Sequence, residues 1–160
     1  MAGIFITFEG TEGCGKSTHI HKLTERLQAE GHTVRVVREP GGTESGEQIR
    51  KLLKHGPKNL TAEAELLLMN ASRAQLVREI IRPALAGGEV VLCDRFYDST
   101  TVYQGAGRGL DAAQVQSIID FAVGETRPDL TILLQIPIKI SEKRRANRRG
   151  TDRFGSANRE

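Results

Sequence analysis

Gly10-Thr11-Glu12-Gly13-Cys14-Gly15-Lys16-Ser17 fits the pattern G-x-x-x-x-G-K-[ST] without a gap and directly follows the apolar run Ile4-Phe5-Ile6-Thr7-Phe8. A loop that wraps an anion needs glycine, because the backbone must turn through positive φ and its N–H groups must come close with no Cβ in the way. Gly10, Gly13 and Gly15 supply that freedom. Lys16 then extends over β- and γ-phosphates as a point charge, and the Ser17 hydroxyl ligates a nucleotide-bound Mg²⁺. The plainer alternative is a Gly-rich turn between a strand and a helix. The motif requires an apolar strand before it and an amphipathic helix after it, and both are present.

Past the loop, Ile20, Leu23 and Leu27 recur at helical spacing with charged residues between them, and Gly31 is placed as a stop. Residues 33–37 form a second strand. So tight a strand, helix, strand order predicts parallel pairing of the first two strands through a right-handed crossover. Arg38-Glu39-Pro40-Gly41-Gly42-Thr43 breaks regular structure, and a short helix is expected over 45–54. Thr61 caps the longest helical stretch, which runs through Leu66, Leu67, Met69, Leu76, Val77, Ile80 and Ile81, is interrupted near Pro83 and ends at Gly87-Gly88.

A third strand over 89–93 delivers Asp94-Arg95 at its C-terminal end. Leu110 or Asp111 opens a helix that stops near Gly124, and the continuous apolar run 130–134 reads as a strand covered on both faces. The segment 141–149 is helical and strongly basic. Strands alternating with helices predict one α/β domain over residues 1–160, a doubly wound parallel sheet with helices on both faces. Ligands of such a sheet bind outside the carboxyl ends of its strands. Each motif singled out here falls at such an end or in the segment that follows it.

The 160 residues carry 23 Lys and Arg against 20 Asp and Glu, a net charge of +3. That excess gathers near the C-terminus and falls short of a dedicated nucleic-acid binder. With only two cysteines, Cys14 and Cys93, a disulfide framework is not expected and a reducing cytosol is. No basic, apolar leader and no bilayer-length run is visible, so a soluble cytoplasmic protein without membrane contact is expected. Cys14 is read either as a small residue that fits the loop or as a thiol whose modification would block nucleotide binding.

Asp94 at a strand end is placed to hold Mg²⁺ or its water shell. Arg95 follows, where a hydrolysing ATPase usually has a water-activating carboxylate. A guanidinium there bridges phosphates and neutralises charge moving between two anions. The site therefore looks built for a phosphate acceptor. The Arg38 loop adds a second anion-handling corner or, more plainly, a tight turn with a surface ion pair. Thr100-Thr101-Val102-Tyr103-Gln104-Gly105 offers hydroxyls, a phenol and an amide suited to a base and sugar edge, types equally ordinary in a loop.

Together these pieces resemble the thymidylate kinase family, nucleoside monophosphate kinases on the P-loop NTPase fold that convert dTMP and ATP to dTDP and ADP. The resemblance lies in Phe8-Glu9-Gly10, in residues 38–43, in Asp94-Arg95-Phe96, in Tyr103-Gln104-Gly105, in residues 127–131 and in the basic segment with Asp152-Arg153. It implies that Gly10, Thr11, Glu12, Gly13, Cys14, Gly15, Lys16, Ser17 and Thr18 hold ATP. It implies further that Lys16 and Arg95 hold the transferring phosphoryl group and that Ser17 and Asp94 manage Mg²⁺. By the same likeness Arg38 clamps the dTMP phosphate while Glu9 organises that phosphate and the metal. Glu12 touches the sugar 3′-hydroxyl, Arg73, Thr100 and Gln104 read thymine, and Tyr103 crowds the 2′ position.

The phosphate loop lacks arginine, whereas Arg144, Arg145, Arg148, Arg149 and Arg153 crowd a lid over about 141–155, the bacterial arrangement. A lid arginine, Arg149 or Arg153, would act as a finger on the transition state. The sequence departs from the family at Met69, where a phenylalanine usually stacks on thymine, and at Gln135, where the fourth strand commonly ends in Asp. The family also continues through a further strand and helix. A homodimer through residues 61–85 and 111–123 is implied, with no nucleic-acid partner. The alternatives are a kinase for another deoxynucleotide and a non-catalytic ATP binder whose basic arm contacts RNA.

Overall fold

The computed structural model describes residues 3–57, 59–102 and 107–146. Four parallel strands, β1 (Ile4–Glu9), β2 (Val34–Arg38), β3 (Val90–Asp94) and β4 (Leu130–Leu133), form one sheet in the order β2-β3-β1-β4. The expected parallel orientation holds, but β1 and β2 do not pair, because β3 lies between them. β3 is the strand whose apolar residues Val90, Val91, Leu92 and Cys93 are all buried, so the centre is where its burial is greatest.

Side chains alternate across the sheet with period two. Phe5, Val37, Val91 and Cys93 face a core built with α3 (Ala62–Leu76), the π-helical turn Val77–Ile81 and α6 (Ala112–Val123). Phe8, Val90 and Leu92 face Ile20, Leu23 and Leu27 of α1 (Lys16–Ala29). Helices therefore cover both faces, as the doubly wound reading requires. α2 (Glu44–His55) packs on α3.

Local chemistry accounts for the helix ends. Thr43, Thr61 and Asp111 accept hydrogen bonds from the N–H groups of Gly46, Ala64 and Gln114, capping α2, α3 and α6. The interruption expected near Pro83 begins earlier, at Val77. A proline has no N–H and clashes with the carbonyl four residues back, and the wide π turn ahead of α4 (Arg82–Ala86) absorbs that mismatch. Arg78 and Arg82 on this stretch donate to the Ala122 and Val123 carbonyls at 2.7 and 3.1 Å, closing the C-terminal end of α6.

β4 differs from the covered strand expected. It is an edge strand with Leu130 51% and Leu133 69% exposed, and no described element covers its outer side. Its register is fixed by Asp129, whose carboxylate accepts the Phe5 N–H at 2.7 Å while its own N–H donates to the Phe5 carbonyl. Among the described residues no helix is long and apolar enough to cross a membrane. The contrast between strands is testable by urea denaturation: Leu92→Ala on β3 costs about 2–5 kcal/mol, whereas Leu133→Ala on β4 stays within about 0.5 kcal/mol of wild type.

Candidate active site

The loop between β1 and α1 turns through positive φ at Gly10 (136°), Gly13 (79°) and Gly15 (104°). A Cβ at Gly10 would collide with the Leu134 carbonyl, so only glycine fits there. Gly15 is also the N-cap of α1, with no side-chain cap and no acid in the first turn. The helix thus begins with uncapped N–H groups and the positive end of its dipole at the loop, a ready anion site. Lys16, 7% exposed, curls back so that Nζ donates to the Gly10 and Thr11 carbonyls at 3.0 and 3.2 Å. Burial, then the charge of Arg95, pull this ammonium below the ordinary lysine range, while Asp94 opposes them.

The next two carbonyls are held from α7 (Ile138–Ala146). Ser141 Oγ donates to the Glu12 carbonyl at 2.7 Å and Arg144 Nη1 to the Gly13 carbonyl at 3.0 Å. Every carbonyl from Gly10 to Gly13 is therefore occupied, and what the loop has left to offer an anion is its N–H groups. Cys14 is buried within it, with Sγ 3.8 Å from Lys16 Nζ, so a thiol reagent reaches it only after the loop opens.

Beside this loop, Ser17 Oγ donates to Asp94 Oδ2 at 3.3 Å. Two hard oxygen donors suit Mg²⁺, which takes one or two protein oxygens and completes its shell with phosphate and water. No group of three or more His, Cys, Asp or Glu is arranged to hold a metal among the described residues.

Asp94 leads into Arg95, the one described non-glycine residue at positive φ, 71°. Such a conformation is strained and persists only where its surroundings hold it. The holder is Glu9. Its Oε1 accepts the Phe96 N–H at 2.7 Å, its Oε2 accepts the Ser99 hydroxyl at 2.6 Å, and Ser99 Oγ in turn accepts Arg95 Nη1 at 3.0 Å. Burial raises the Glu9 carboxyl above its ordinary value, against the lowering pull of those two bonds. Both oxygens of Glu9 turn to this corner, one to the Phe96 N–H and one to Ser99.

Arg38 leaves β2 next to Asp94 and lies, with Ser17, Asp94, Gly42 and Glu47, on a cleft of about 490 Å³. The surface ion pair of the plainer reading is present, between Arg38 and Glu47, whereas Glu39 is buried against Arg73, with Arg73 Nε 2.7 Å from its Oε2. Burial raises the Glu39 carboxyl and Arg73 opposes the rise, and Glu39 Oε1 has no partner among the described residues. Arg73, 1% exposed, also donates to Asn70 Oδ1 at 3.0 Å, to Thr100 Oγ1 at 2.9 Å and to the Phe96 carbonyl at 3.4 Å. The structure so joins Arg73 and Thr100, with Thr100 in a helical turn, α5 (Tyr97–Thr100), where a loop was expected. Met69 is buried, and Asn70 is turned to Arg73 and the Leu66 carbonyl.

Tyr103, Gln104, Arg148, Arg149 and Arg153 lie outside the described residues. Four side chains that sequence reasoning passed over also hold the site. Ser99 supports Arg95, Ser72 accepts the Gly41 N–H at 3.0 Å, Glu47 holds Arg38, and Ser141 binds the phosphate loop. Ser99 alone had a local signal, four residues after Arg95 in a run of short hydroxyls.

A loop for one phosphate chain, a metal corner beside it and a second guanidinium across a cleft suit transfer between two anions, not hydrolysis. This is the architecture of a P-loop nucleoside monophosphate kinase. A family model described as thymidylate kinase matches residues 8–160. The thymidylate kinase of Pseudomonas fluorescens (strain SBW25) is 50% identical over 155 residues, 96% of this chain and 74% of that protein. That of Alcanivorax borkumensis is 51% identical over 156 residues, with the same two shares, 96% and 74%. The crystal structure of thymidylate kinase from Ehrlichia chaffeensis matches with a TM-score of 0.80 at 38% identity, over 90% of this chain and 82% of that one. The chain belongs to the thymidylate kinase family.

Removing one partner of the Arg73–Glu39 pair leaves a buried charge uncompensated. Arg73→Met is expected to cost about 3–5 kcal/mol in chemical denaturation. Adding Glu39→Gln to Arg73→Met should recover part of that loss, because the stranded charge goes with it.

Proposed function

We propose the following division of labour for the ATP-dependent phosphorylation of dTMP to dTDP, the activity that family membership assigns to this chain. Residues Gly10 to Thr18 hold the ATP phosphates on loop N–H groups and the start of α1, and Lys16 exchanges the Gly10 and Thr11 carbonyls for the β- and γ-phosphates. Ser17 and Asp94 hold Mg²⁺, which would neutralise charge on the phosphates when bound. Arg38 receives the dTMP phosphate, and Arg95 bridges it to the γ-phosphoryl group. An oxygen of the dTMP phosphate attacks the γ-phosphorus, the bond to the bridging oxygen breaks, and ADP leaves. The acceptor oxygen is already ionised, so no strong general base is required.

Glu9 acts in this scheme by holding Arg95 in its strained conformation through Ser99. Arg73 and Thr100, buried against each other in the structure, are assigned to the base together with Gln104, Glu12 meets the 3′-hydroxyl, and Tyr103 disfavours a 2′-hydroxyl. Met69 packs on the base as a thioether, with less area and orientation than a ring. Arg149 or Arg153 of the lid supplies the finger on closure. One kinase domain over residues 1–160 carries all of this, its lid at about 141–155. The same reading makes the protein a cytoplasmic homodimer without nucleic-acid or membrane partners. In its support, Leu67 and Phe121 are 56% and 84% exposed on the two segments assigned to the dimer, and both cysteines are free thiols.

The observation that carries the assignment is the cleft shared by Ser17, Asp94 and Arg38, which sets the Ser17–Asp94 corner, one residue past Lys16, beside a second anion-binding guanidinium. Steady-state assays with dTMP, dUMP, dCMP and dAMP test it. ATP consumption should require an added monophosphate and be fastest with dTMP, and Lys16→Met should lower kcat by about 10²–10³-fold. Preference for another monophosphate would reassign the acceptor. Salt-sensitive RNA binding without turnover would overturn the kinase reading.

A further inference from the structure

Arg38 projects from the end of an edge strand, and its side chain is 55% exposed. An arginine so placed has many rotamers, and binding a phosphate would cost the entropy of fixing it. In the structure it is already fixed. Glu47, on the first turns of α2, takes Arg38 Nη2 on both carboxylate oxygens at 2.9 and 3.0 Å and accepts the Gly42 N–H at 2.9 Å with Oε1. Gly41 sits at φ 129°, a conformation that L side chains rarely adopt, and a Cβ there would displace the Glu47 carboxylate from this position. One carboxylate thus ties together the guanidinium, the backbone of the Gly41-Gly42 turn and the start of α2.

We propose that Glu47 is the positioning residue for the acceptor phosphate: by gripping one nitrogen of Arg38 it pre-sets the guanidinium for the dTMP phosphate. This rests on the reading that Arg38 receives that phosphate. Arg38 has five N–H donors, and Glu47 occupies Nη2 alone, so Nε and Nη1, unbonded among the described residues, remain for phosphate oxygens. The Gly42 N–H, then Arg38 and Arg50, hold the Glu47 carboxyl below the ordinary glutamate range, so the grip is present throughout neutral pH. An exposed ion pair of this kind adds little to folding stability. Its effect lies in binding, where the ordering of Arg38 precedes the arrival of substrate.

Kinetics of the wild type, Glu47→Gln, Arg38→Met and the double variant test this. Glu47→Gln should raise KM for dTMP about three- to tenfold, the cost of ordering one long side chain, with KM for ATP, kcat and Tm unchanged. In the Arg38→Met background the same substitution should have no further effect on KM for dTMP. A lowered KM would make Glu47 a competitor of the substrate and overturn the proposal. So would an unchanged KM, or an equal effect in both backgrounds. Should Arg38→Met itself leave KM for dTMP unaltered, the role given to Arg38 fails first. Should only Glu47→Gln be silent, that role stands and the positioning role alone falls.

Discussion

The insertion of β3 between β1 and β2 is the constraint on which the site depends. In the ladder, Asp94 is level with Phe8 on one side and Arg38 on the other. Three strands therefore leave the sheet within one residue of the same row, and each turns into a loop of the candidate site. The Arg95 N–H donates to the Phe8 carbonyl and the Glu39 N–H to the Asp94 carbonyl, so the ladder extends one step into those loops before they diverge. The burial of Val91, Leu92 and Cys93 on both faces drives β3 to the middle, and the hydrophobic effect thereby sets the spacing of the charges.

Beneath that row lies a buried polar layer of a kind that proteins elsewhere avoid. Glu9, Glu39, Arg73, Ser72, Ser99 and Thr100 are all nearly inaccessible to solvent. Charges taken out of water are costly unless they are paired and hydrogen-bonded. Here the pairing does positional work. Glu9 and Ser99 hold Arg95 in its left-handed conformation, while Arg73 joins the Glu39 turn to α3, to the Phe96 carbonyl and to Thr100. The Phe96 ring lies 5.0 Å from that of Phe5 and 5.5 Å from the Arg73 guanidinium, so it anchors this layer to the apolar core.

What the sequence makes legible is local. The phosphate loop, the cap at Thr61, the helix start at Leu110 or Asp111, the stops at Gly31 and Gly124 and the four strands all follow from period, glycine and capping chemistry within a few residues. Strand order is not local, since nothing between β1 and β2 announces that a strand from 50 residues later will separate them. The exposure of β4 is hidden for the same reason, because an apolar run reads alike at the centre and at the edge of a sheet. Within the site, Lys16, Ser17, Asp94, Arg95, Arg38, Arg73 and Thr100 announce themselves by motif or by resemblance. Their supports do not. Glu39 and Arg73 are separated by 34 positions, and Ser141 and Glu12 by 129. Ordinary serines and glutamates acquire meaning only when the fold brings them together.

If two anion corners face each other across Asp94, one molecule should be able to fill both. The most direct measurement is inhibition by thymidine and adenosine joined 5′ to 5′ through an oligophosphate. Competition against both ATP and dTMP is predicted, with tighter binding than either substrate alone. Competition against only one of them would mean that the two cradles do not open onto a common site.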